Sequence, residues 1–369
     1  MKLFILCGEP SGDRIAADLI ARLRERVDVE VVGVGGPELT AQGLSSIFPM
    51  RELSVLGAEI LPRIPWLLFR AWQTARALKA FQPDVAVFVD AQIFSAVVAG
   101  HIRKWGLKTP IVLYVAPSVW AWAPERAKKL VPLFQEVLSV LPMEPKIMAE
   151  LQGPPTRYVG HPAAKRLVQR TQVPERGPLL LLPGSRDGEL KRHLPLMRAV
   201  AERLANHPRV TGFVLPTLPA LEARLSAEVA RWPAKVEVLS DGAARNKAYA
   251  EALAACAAMG TATLELALSG VPMVSYYQAN MGQARRYLKY KIKYVSLPNN
   301  ILREALVPEV LFVAPDLDEL TGAVRALLDT DAAARQLEGF ARIRQMMDNG
   351  TPEAPVTDPV ERVLSYVTR

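Results

Sequence analysis

A short polar stretch in the middle of the chain has the residue types of an anion-binding site. Four leucines at 179–182 are typical of a buried strand, and Pro183 and Gly184 predict a sharp turn after it. Ser185 is then expected to cap a helix whose first backbone N–H groups suit an anion. Arg186 adds a charge that can hold a phosphate with two hydrogen bonds. An ordinary strand–helix corner with a surface arginine explains this stretch equally well.

A carboxylate ends a second buried strand. The run at 84–90 is apolar between its two aspartates and does not alternate, which is typical of a parallel strand buried on both faces. Asp90 lies at its carboxyl end, where open parallel sheets bind their ligands. Asp90 therefore has two interpretations, a helix cap or a catalytic group.

Two further strand–helix junctions carry side chains suited to a ligand. After the first strand, Gly12 beside Ser11 allows close approach of a ligand or of another backbone, although a structural turn explains this junction nearly as well. In the second half, small residues at 254–263 precede Glu265. A helix beginning there can hold a phosphate on its N–H groups, and the carboxylate can accept two ribose hydroxyls.

Strands and helices alternate along the whole chain, which predicts an α/β protein with parallel sheets. The predicted strands lie at 3–7, 29–34, 84–90, 111–115, 137–141, 157–159, 179–182, 211–215, 236–239 and 272–276. A helix is predicted to start at Asn246, a loop to occupy 294–300, and a link at 349–358 to lead to a terminal helix. At 369 residues the chain is too long for one ordinary core, and we expect two domains with a hinge shortly after Pro162.

Composition narrows the class of protein. The net charge of +8 suits nucleic acid, an anionic lipid surface or phosphorylated substrates. Nucleic acid ranks last because no zinc-ligand cluster, RNA-binding aromatic signature or long basic tail accompanies the charge. Cys7 and Cys256 lie far apart in apolar surroundings, which argues against a disulfide framework and fits a reducing cytoplasm. The first strand–helix turn lacks the dinucleotide fingerprint, which argues against a nicotinamide-dependent enzyme.

The stretch 53–81 combines large apolar side chains with basic ones. It carries Leu61, Ile64, Trp66, Leu67, Leu68, Phe69 and Trp72 beside Arg63, Arg70, Arg76 and Lys79. This pattern suits a helix that lies in a membrane interface or lines a pocket for acyl chains. A core helix whose arginines extend to solvent is the alternative.

Seven motifs occur in order along nearly the whole chain. They are Gly-Glu-Pro-Ser-Gly-Asp at 8–13, Val-Asp-Ala at 89–91, Pro-Ser-Val-Trp-Ala-Trp at 117–122, Gly-His-Pro at 160–162, Leu-Pro-Gly-Ser-Arg at 182–186, Gly-Thr-Ala-Thr-Leu-Glu at 260–265 and Tyr-Val-Ser-Leu-Pro-Asn at 294–299. No single motif is decisive, but together the set resembles the lipid-A-disaccharide synthase family.

The resemblance implies a glycosyltransferase of the GT-B fold, with two Rossmann-like domains whose parallel sheets face a central cleft. It implies an acceptor- and membrane-facing first domain at 1–165, a UDP-sugar-binding second domain at 166–349, and a C-terminal helix at 350–369 that packs back on the first. Members of the family join UDP-2,3-diacylglucosamine to 2,3-diacylglucosamine 1-phosphate, release UDP and invert the anomeric carbon without a metal or other cofactor. They are cytoplasmic proteins attached peripherally to the inner membrane, and a homodimer is left open.

The resemblance also implies roles for individual residues. Asp90 corresponds to the family's essential aspartate and is the candidate general base for the acceptor's 6-hydroxyl. Arg186, with Gly184 and Ser185, is expected at the UDP phosphates. Ser11 and Gly12 are expected to face the cleft from the first domain. The residues expected to line the nucleotide pocket are Thr261, Thr263, Glu265 and Asn299.

The chain departs from the family pattern around the sugar and acceptor sites. After Asp90-Ala91 the family usually continues Pro-Asp-Phe-Asn, whereas Gln92, Ile93, Phe94 and Ser95 follow here. Phe312 replaces an expected glutamine, and Met259 replaces an expected serine. Three alternatives therefore stay open: a UDP-sugar transferase with another lipid acceptor, an enzyme like UDP-N-acetylglucosamine 2-epimerase, and a non-catalytic UDP-sugar-binding relative.

Overall fold

A computed structural model describes residues 1–53 and 62–367 of the chain. The chain forms two compact units, one of Met1–Pro162 with Asn349–Arg369 and the other of Ala163–Asp348. Leu61, which the sequence assigned to the apolar and basic stretch, lies outside the described residues. Within the described ranges, no helix is long and apolar enough to cross a membrane.

The first unit is built on a six-stranded sheet in which every neighbouring pair is parallel. Its strands are β1 (Lys2–Cys7), β2 (Glu30–Val34), β3 (Val85–Val89), β4 (Ile111–Tyr114), β5 (Glu136–Ser139) and β6 (Thr156–Tyr158). Their order across the sheet is β2-β1-β3-β4-β5-β6. The chain therefore winds one way from β1 to β2 and the other way from β3 onward, so β1 and β3 flank a topological switch point.

Helices pack on this sheet. They are α1 (Pro10–Arg24), α2 (Pro37–Ala41), α3 (Ile64–Phe81), α4 (Gln92–Lys104), α5 (Arg126–Leu130) and α6 (Glu144–Glu150). Every residue of β3 is buried, as its uninterrupted apolar sequence predicts. Phe88 lies in the core, where helical side chains such as Leu78 and Ile102 complete the packing. The apolar runs of the sequence therefore form the strands of the sheet, and the polar residues of the predicted site follow at the ends of these strands.

The second unit repeats the design, beginning with α7 (Pro162–Arg166), which overlaps its boundary. Its sheet has six strands, β7 (Gly177–Leu182), β8 (Val210–Pro216), β9 (Val236–Leu239), β10 (Ala254–Ala258), β11 (Met273–Gln278) and β12 (Glu309–Phe312). The order β12-β11-β10-β7-β8-β9 is again wholly parallel. The switch point here lies between β7 and β10.

The helices of the second unit are α8 (Asp187–Leu204), α9 (Glu222–Val229), α10 (Gly242–Glu251), α11 (Thr261–Leu268), α12 (Met281–Tyr290), α13 (Leu297–Leu302), α14 (Leu317–Asp329) and α15 (Ala332–Asn349). Past α15 the chain forms a short antiparallel pair, β13 (Gly350–Thr351) with β14 (Ala354–Pro355), and then α16 (Pro359–Leu364). The terminal segment is tied to α1, because Arg22 Nη2 donates to the Asp358 carboxylate at 2.8 Å. The predicted α/β class, with a parallel sheet in each half, is confirmed.

Three local predictions were wrong. The helix expected from Asn246 begins at Gly242, because the Asp241 carboxylate accepts the Ala244 N–H at 2.8 Å and caps it. The loop expected at 294–300 contains α13, which carries Pro298 in its first turn. The helix implied at 350–369 covers only residues 359–364 among those described, since the β13–β14 pair lies in the link that the residues themselves predicted at 349–358.

Candidate active site

Asp90 stands at the switch point of the first unit, directly after β3. Asp90 and Ala91 both have left-handed backbone, with φ of 57° and 47°. Aspartate is one of the few residues that tolerate this conformation. The Asp90 N–H donates to the Tyr114 carbonyl at 2.9 Å, and the buried Ser95 hydroxyl donates to the Asp90 carbonyl at 3.0 Å. The sharp turn is therefore held from both sides, and the carboxylate is presented at the sheet edge.

The surroundings of Asp90 suit proton transfer near neutral pH. Burial raises the pKa of its carboxyl to about 6, and the negative charge of Glu9 adds to the increase, while the Ala91 N–H opposes it. A general base is most effective when its pKa lies close to the working pH. Of the two sequence interpretations, the geometry favours the catalytic group, since no side-chain cap hydrogen bond occurs at the start of α4.

Two glycines allow neighbouring backbone to pack against this turn. A Cβ on Gly12 would lie 3.3 Å from the Val89 carbonyl oxygen and 3.6 Å from the Asp90 Cβ. A Cβ on Gly8 would lie 2.4 Å from the Ala91 Cβ, which is closer than real side chains come. The first turn of α1 consequently lies beside Asp90, as the glycine-flanked junction predicted.

Ser11 and Asp13 in the same turn of α1 have different surroundings. Ser11 is exposed. Asp13 is buried, and its carboxylate accepts the N–H groups of Gly36 at 2.7 Å and Glu38 at 2.9 Å. Asp13 therefore fastens α1 to the start of α2, whereas Ser11 is the side chain available to a ligand.

The anion-binding turn predicted in the second unit follows β7. Gly184 has a φ of 98°, and a Cβ there would lie 2.6 Å from Glu189 Oε2, so glycine is required. The prediction that Ser185 caps the helix is wrong, because α8 starts at Asp187 and Arg186 precedes it. Glu189 supplies the cap instead, accepting the Arg186 N–H at 3.5 Å and Arg186 Nη1 at 3.1 Å. Arg186 thus lies at the helix N-terminus with its charge exposed.

His193 supports this turn from behind, and sequence reasoning missed it. It is fully buried on α8; its Nδ1 lies 2.8 Å from the Pro183 carbonyl oxygen, and its Nε2 accepts the Gln278 N–H at 3.3 Å. Burial lowers the pKa of the imidazole, so the ring is neutral, with the proton on Nδ1. The ring therefore joins the β7–α8 turn to the end of β11.

Replacing His193 with phenylalanine keeps a ring of similar size but leaves the Pro183 carbonyl and the Gln278 N–H unpaired. We expect a loss of about 2 to 4 kcal/mol in the free energy of unfolding, measured by denaturant titration. His193→Asn, which keeps a donor near Nδ1, should lose less. Because the folded-state pKa is lowered, the histidine stabilises the fold above the unfolded-state pKa of about 6.5, and this stabilisation fades as pH falls.

The difference between parent and His193→Phe should accordingly shrink on acidification from neutral pH to about pH 5. Equal stabilities at neutral pH would show that the two hydrogen bonds do not hold the turn.

The third predicted junction, at the start of α11, has only part of the expected arrangement. Thr261 is exposed, but Thr263 is buried, and its hydroxyl donates to the Gly260 carbonyl at 2.8 Å. Thr263 therefore supports the turn and does not face a ligand. Glu265, one turn into α11, accepts Arg166 Nη2 at 3.1 Å. Leu182 pairs with Ala257 across β7 and β10, so the starts of α8 and α11 lie at the same edge of the sheet.

The Asn299 side chain is bonded within the protein, which argues against its predicted role in the nucleotide pocket. The residue is buried on α13, and its Nδ2 donates to the Val307 carbonyl at 2.8 Å and to Glu309 Oε1 at 2.9 Å. Its Oδ1 accepts the N–H groups of Leu306 and Val307. The amide has no hydrogen-bonding capacity left for a nucleotide.

The residues that depart from the family pattern differ in their surroundings. Ser95 keeps a polar role as the support of the Asp90 turn. Gln92 accepts Arg126 Nη2 at 3.2 Å, while the Ile93 side chain is 72% exposed. Phe312 belongs to the core of the second unit, and Met259 follows β10, where its N–H donates to the Tyr276 carbonyl at 3.0 Å. Within residues 1–53 and 62–367, no group of three or more histidine, cysteine or acidic side chains is placed to hold a metal ion.

Two parallel Rossmann-like sheets with polar residues at their switch points define a GT-B glycosyltransferase fold. Solved structures agree at the level of fold. MurG of Acinetobacter baumannii is 16% identical, with a TM-score of 0.57 over 100% of this chain and 99% of that one. The UDP-GlcNAc 2-epimerase of Neisseria meningitidis, solved with UDP-GlcNAc bound, is 11% identical, with a TM-score of 0.61 over 94% of this chain and 98% of that one.

Sequence comparison is more specific. Residues 3–352 match the family model described as lipid-A-disaccharide synthetase. The lipid-A-disaccharide synthase of Bradyrhizobium diazoefficiens is 37% identical over 383 residues, covering 100% of this chain and 97% of that protein. The enzyme of the same name from Rhodospirillum centenum is 37% identical over 382 residues, covering 100% of this chain and 95% of that protein. The chain belongs to the lipid-A-disaccharide synthetase family, and it is a glycosyltransferase.

Proposed function

We propose that the chain transfers a 2,3-diacylglucosamine unit from its UDP derivative to the 6-hydroxyl of 2,3-diacylglucosamine 1-phosphate, releasing UDP. The observation that carries the mechanism is the Asp90 carboxyl at the switch point of the first unit, with a pKa raised to about 6. Family membership over residues 3–352 supports the reaction itself. We assign the acceptor to the first unit and the UDP-sugar to the second.

In the proposed step, Asp90 takes the proton of the 6-hydroxyl as the oxygen attacks the anomeric carbon of the donor. The attack comes from the face opposite the diphosphate, so the configuration at that carbon inverts. The bond between the anomeric carbon and the diphosphate oxygen breaks, and UDP leaves as an anion. A positioned base of this kind contributes roughly 10²–10⁴ in rate.

The second unit is suited to stabilise the charge on UDP. Arg186 and the first turn of α8 offer a guanidinium and backbone N–H groups at one place, after the tight turn that Gly184 permits. The start of α11, with exposed Thr261, offers a second set of N–H groups at the same sheet edge. Glu265, one turn further on, is our candidate for the ribose hydroxyls. Each donor aimed at the leaving group is worth about 2 to 4 kcal/mol in the transition state.

Product analysis tests this proposal. The purified chain is incubated in detergent micelles with UDP-2,3-diacylglucosamine and the 1-phosphate acceptor, and products are separated by mass. We expect the disaccharide 1-phosphate and one UDP for each disaccharide. UDP release with a different lipid acceptor would identify a divergent transferase, and a donor altered at C2 without acceptor would identify an epimerase. A folded chain that binds UDP but forms no product would overturn the enzymatic proposal.

A second element, α3, supports a proposal that the chain docks on the inner-membrane surface from the cytoplasmic side. Its buried face consists of small residues and one leucine, namely Ala71, Thr74, Ala75 and Leu78. Its other face exposes five large apolar side chains, Ile64, Trp66, Leu68, Phe69 and Trp72. Trp66 stacks on Phe69 with ring centroids 5.4 Å apart, and Phe69 on Trp72 at 6.2 Å. A contiguous aromatic surface beside arginines is typical of a membrane-interface helix.

This exposed face also connects to the candidate site. The Arg70 guanidinium lies 4.4 Å from the Trp66 ring centroid and 4.6 Å from that of Phe48. Phe48 in turn contacts Phe94 edge-to-face, with centroids 6.4 Å apart. Phe94 lies in the first turn of α4, four residues after Asp90. These contacts connect α3 with the helix that follows Asp90.

The triple variant Leu68→Ser, Phe69→Ser, Trp72→Ser should bind anionic phospholipid vesicles roughly 100-fold more weakly, because each half-exposed side chain contributes about 1 kcal/mol when it enters the interface. Vesicle sedimentation measures the change. These positions leave the Arg70–Glu52 ion pair at 2.8 Å untouched.

A matched triple control replaces Val131, Val168 and Leu218, exposed apolar residues outside α3, with serine. Equal losses in both triple variants would mean that α3 has no special role at the membrane.

A further inference from the structure

Arg126 begins α5 and has a buried donor group that no residue in the described part of the chain pairs. Its guanidinium carbon lies 4.5 Å from the centroid of the Trp122 ring, and its Nη2 donates to Gln92 Oε1 at 3.2 Å. Its Nη1 is buried and, among the described residues, has no hydrogen-bond partner. No carboxylate in the described ranges forms an ion pair with this arginine.

An arrangement of this kind is costly unless a ligand completes it. A buried donor left unsatisfied costs about 1 to 3 kcal/mol, and more when it is charged. Burial also lowers the pKa of the Arg126 guanidinium, against the opposing influence of Glu125. Stacking on Trp122 fixes the plane of the guanidinium, and Gln92 fixes one of its edges. Such a group is already oriented for a planar, two-pronged contact with an oxyanion.

The Arg126 guanidinium lies at the same edge of the sheet as Asp90. β3 and β4 are parallel neighbours in which Val89 pairs with Tyr114. Asp90 follows β3, and the loop that leads to Arg126 follows β4. Gln92, which holds the guanidinium, is two residues from Asp90, so their Cα atoms are about 7.6 Å apart at most. Arg126 and the proposed base are therefore linked through Gln92 at the same edge of the sheet.

We propose that Arg126, oriented by Gln92 and stacked on Trp122, binds the phosphate of the acceptor sugar. This inference rests on the proposed function, in which the acceptor is a hexose that presents its 6-hydroxyl to Asp90. Its anomeric phosphate is separated from that hydroxyl by the pyranose ring. A phosphomonoester at the anomeric position thus matches the charge of the guanidinium and its place at the same sheet edge as Asp90, and it would orient the ring for attack.

The test compares two acceptors, 2,3-diacylglucosamine 1-phosphate and the same sugar without its phosphate. The parent should prefer the phosphorylated acceptor. Arg126→Gln should raise the KM for that acceptor about 10- to 100-fold, because hydrogen bonds to charged groups are worth about 1.5 to 3 kcal/mol. The KM for the UDP-sugar should stay unchanged, and the preference between the two acceptors should disappear. Arg126→Lys keeps the positive charge but loses the two-pronged geometry of the guanidinium, so its KM for the phosphorylated acceptor should lie between those of the parent and Arg126→Gln.

Lys128→Gln is the matched control, since it removes one positive charge from an exposed position on the same helix. It should leave the acceptor preference intact. If Arg126→Gln and Lys128→Gln weaken acceptor use equally, the effect is general attraction to a negative micelle, and the subsite is overturned. If Arg126→Gln weakens only binding to anionic vesicles and keeps the preference, the guanidinium serves a lipid headgroup and the proposal is likewise overturned.

Binding of soluble glucosamine 1-phosphate, measured by titration calorimetry without donor, separates this inference from the reaction. Heat from the parent and from Lys128→Gln, but not from Arg126→Gln, supports the phosphate subsite even if no disaccharide forms. Equal binding by all three overturns it even if disaccharide does form. Melting temperatures of the variants show whether each is folded.

Discussion

Replacing Asp90 with asparagine is expected to lower disaccharide formation by about 10²- to 10⁴-fold while leaving UDP affinity unchanged. Asparagine has the same shape and tolerates the left-handed backbone that Asp90 adopts with a φ of 57°, so the turn after β3 should persist. Only the ability to accept a proton is lost. Initial rates at saturating donor, with UDP binding measured separately by calorimetry, separate chemistry from nucleotide affinity.

The pH profile gives a second readout of the same role. Asp90 has a pKa raised to about 6, so the parent's activity should rise with pH through this value and level off above it. Glu9→Gln is the matched control, since its charge contributes to that raised pKa. The Glu9→Gln variant should keep its activity above about pH 7. The rise of its activity on the acid side of the pH profile should move to lower pH. If Asp90→Asn retains both the activity and its rise with pH on the acid side of the profile, Glu9 becomes the better candidate for the base.

Stability should change in the opposite direction to activity. Above the unfolded-state pKa of about 3.9, ionised Asp90 destabilises the fold, because its folded-state pKa is raised. Asparagine carries no charge, so Asp90→Asn should unfold at higher denaturant concentration at neutral pH, by about 1 to 2 kcal/mol after allowance for the partial exposure of the side chain. A variant that is more stable but inactive is expected when the native site holds a partly buried charge that catalysis needs but that destabilises the fold.

The fold was predictable because its signals are local. Buried parallel strands are continuous apolar runs, as in the four leucines that end β7, and each is followed by turn-forming residues. The switch-point positions of Asp90 and Arg186 were accessible for the same reason, since Asp90 comes directly after such a run and Arg186 follows one after a three-residue turn. The errors at the start of α8 and at α13 have different causes, since a residue inside the helix decided the first and a tertiary partner the second. Glu189 and not Ser185 satisfies the α8 turn, and Asn299 is held by the β12 side.

The supporting residues were not predictable because their partners are distant in sequence. His193 acts through Gln278, which lies 85 positions further on. Arg126 acts through Gln92, 34 positions before it. Neither histidine nor arginine carries a local pattern that marks it. The role predicted for the Asn299 side chain has a related weakness. The sequence shows that this side chain has hydrogen-bonding groups, but it does not show whether a ligand or the protein itself pairs with them.

Replacing Arg186 with alanine is the second variant with a large expected effect. Arg186 is exposed at the start of α8, and within residues 1–53 and 62–367 its ion pair is with Glu189, three residues on. Exposed ion pairs of this kind contribute about 0 to 1 kcal/mol to stability, so the fold should be little affected. Loss of a guanidinium that stabilises the diphosphate should instead cost about 2.7 to 4 kcal/mol in the transition state, or roughly 10²- to 10³-fold in rate. UDP affinity should fall as well.

Arg198→Ala is the matched control for this variant. Arg198 lies on the same helix and pairs with Glu202 at 2.8 Å, and its side chain is 48% exposed against 68% for Arg186. Both variants lose one exposed arginine and one ion pair within the helix, so they should share any small change in melting temperature. Only Arg186→Ala should weaken UDP binding, and its remaining affinity should depend less on salt, because one charge contact with the anion is missing. If both variants bind UDP equally, the diphosphate is held by backbone N–H groups at the start of α8 or α11, and Arg186 is a surface residue of an ordinary strand–helix corner.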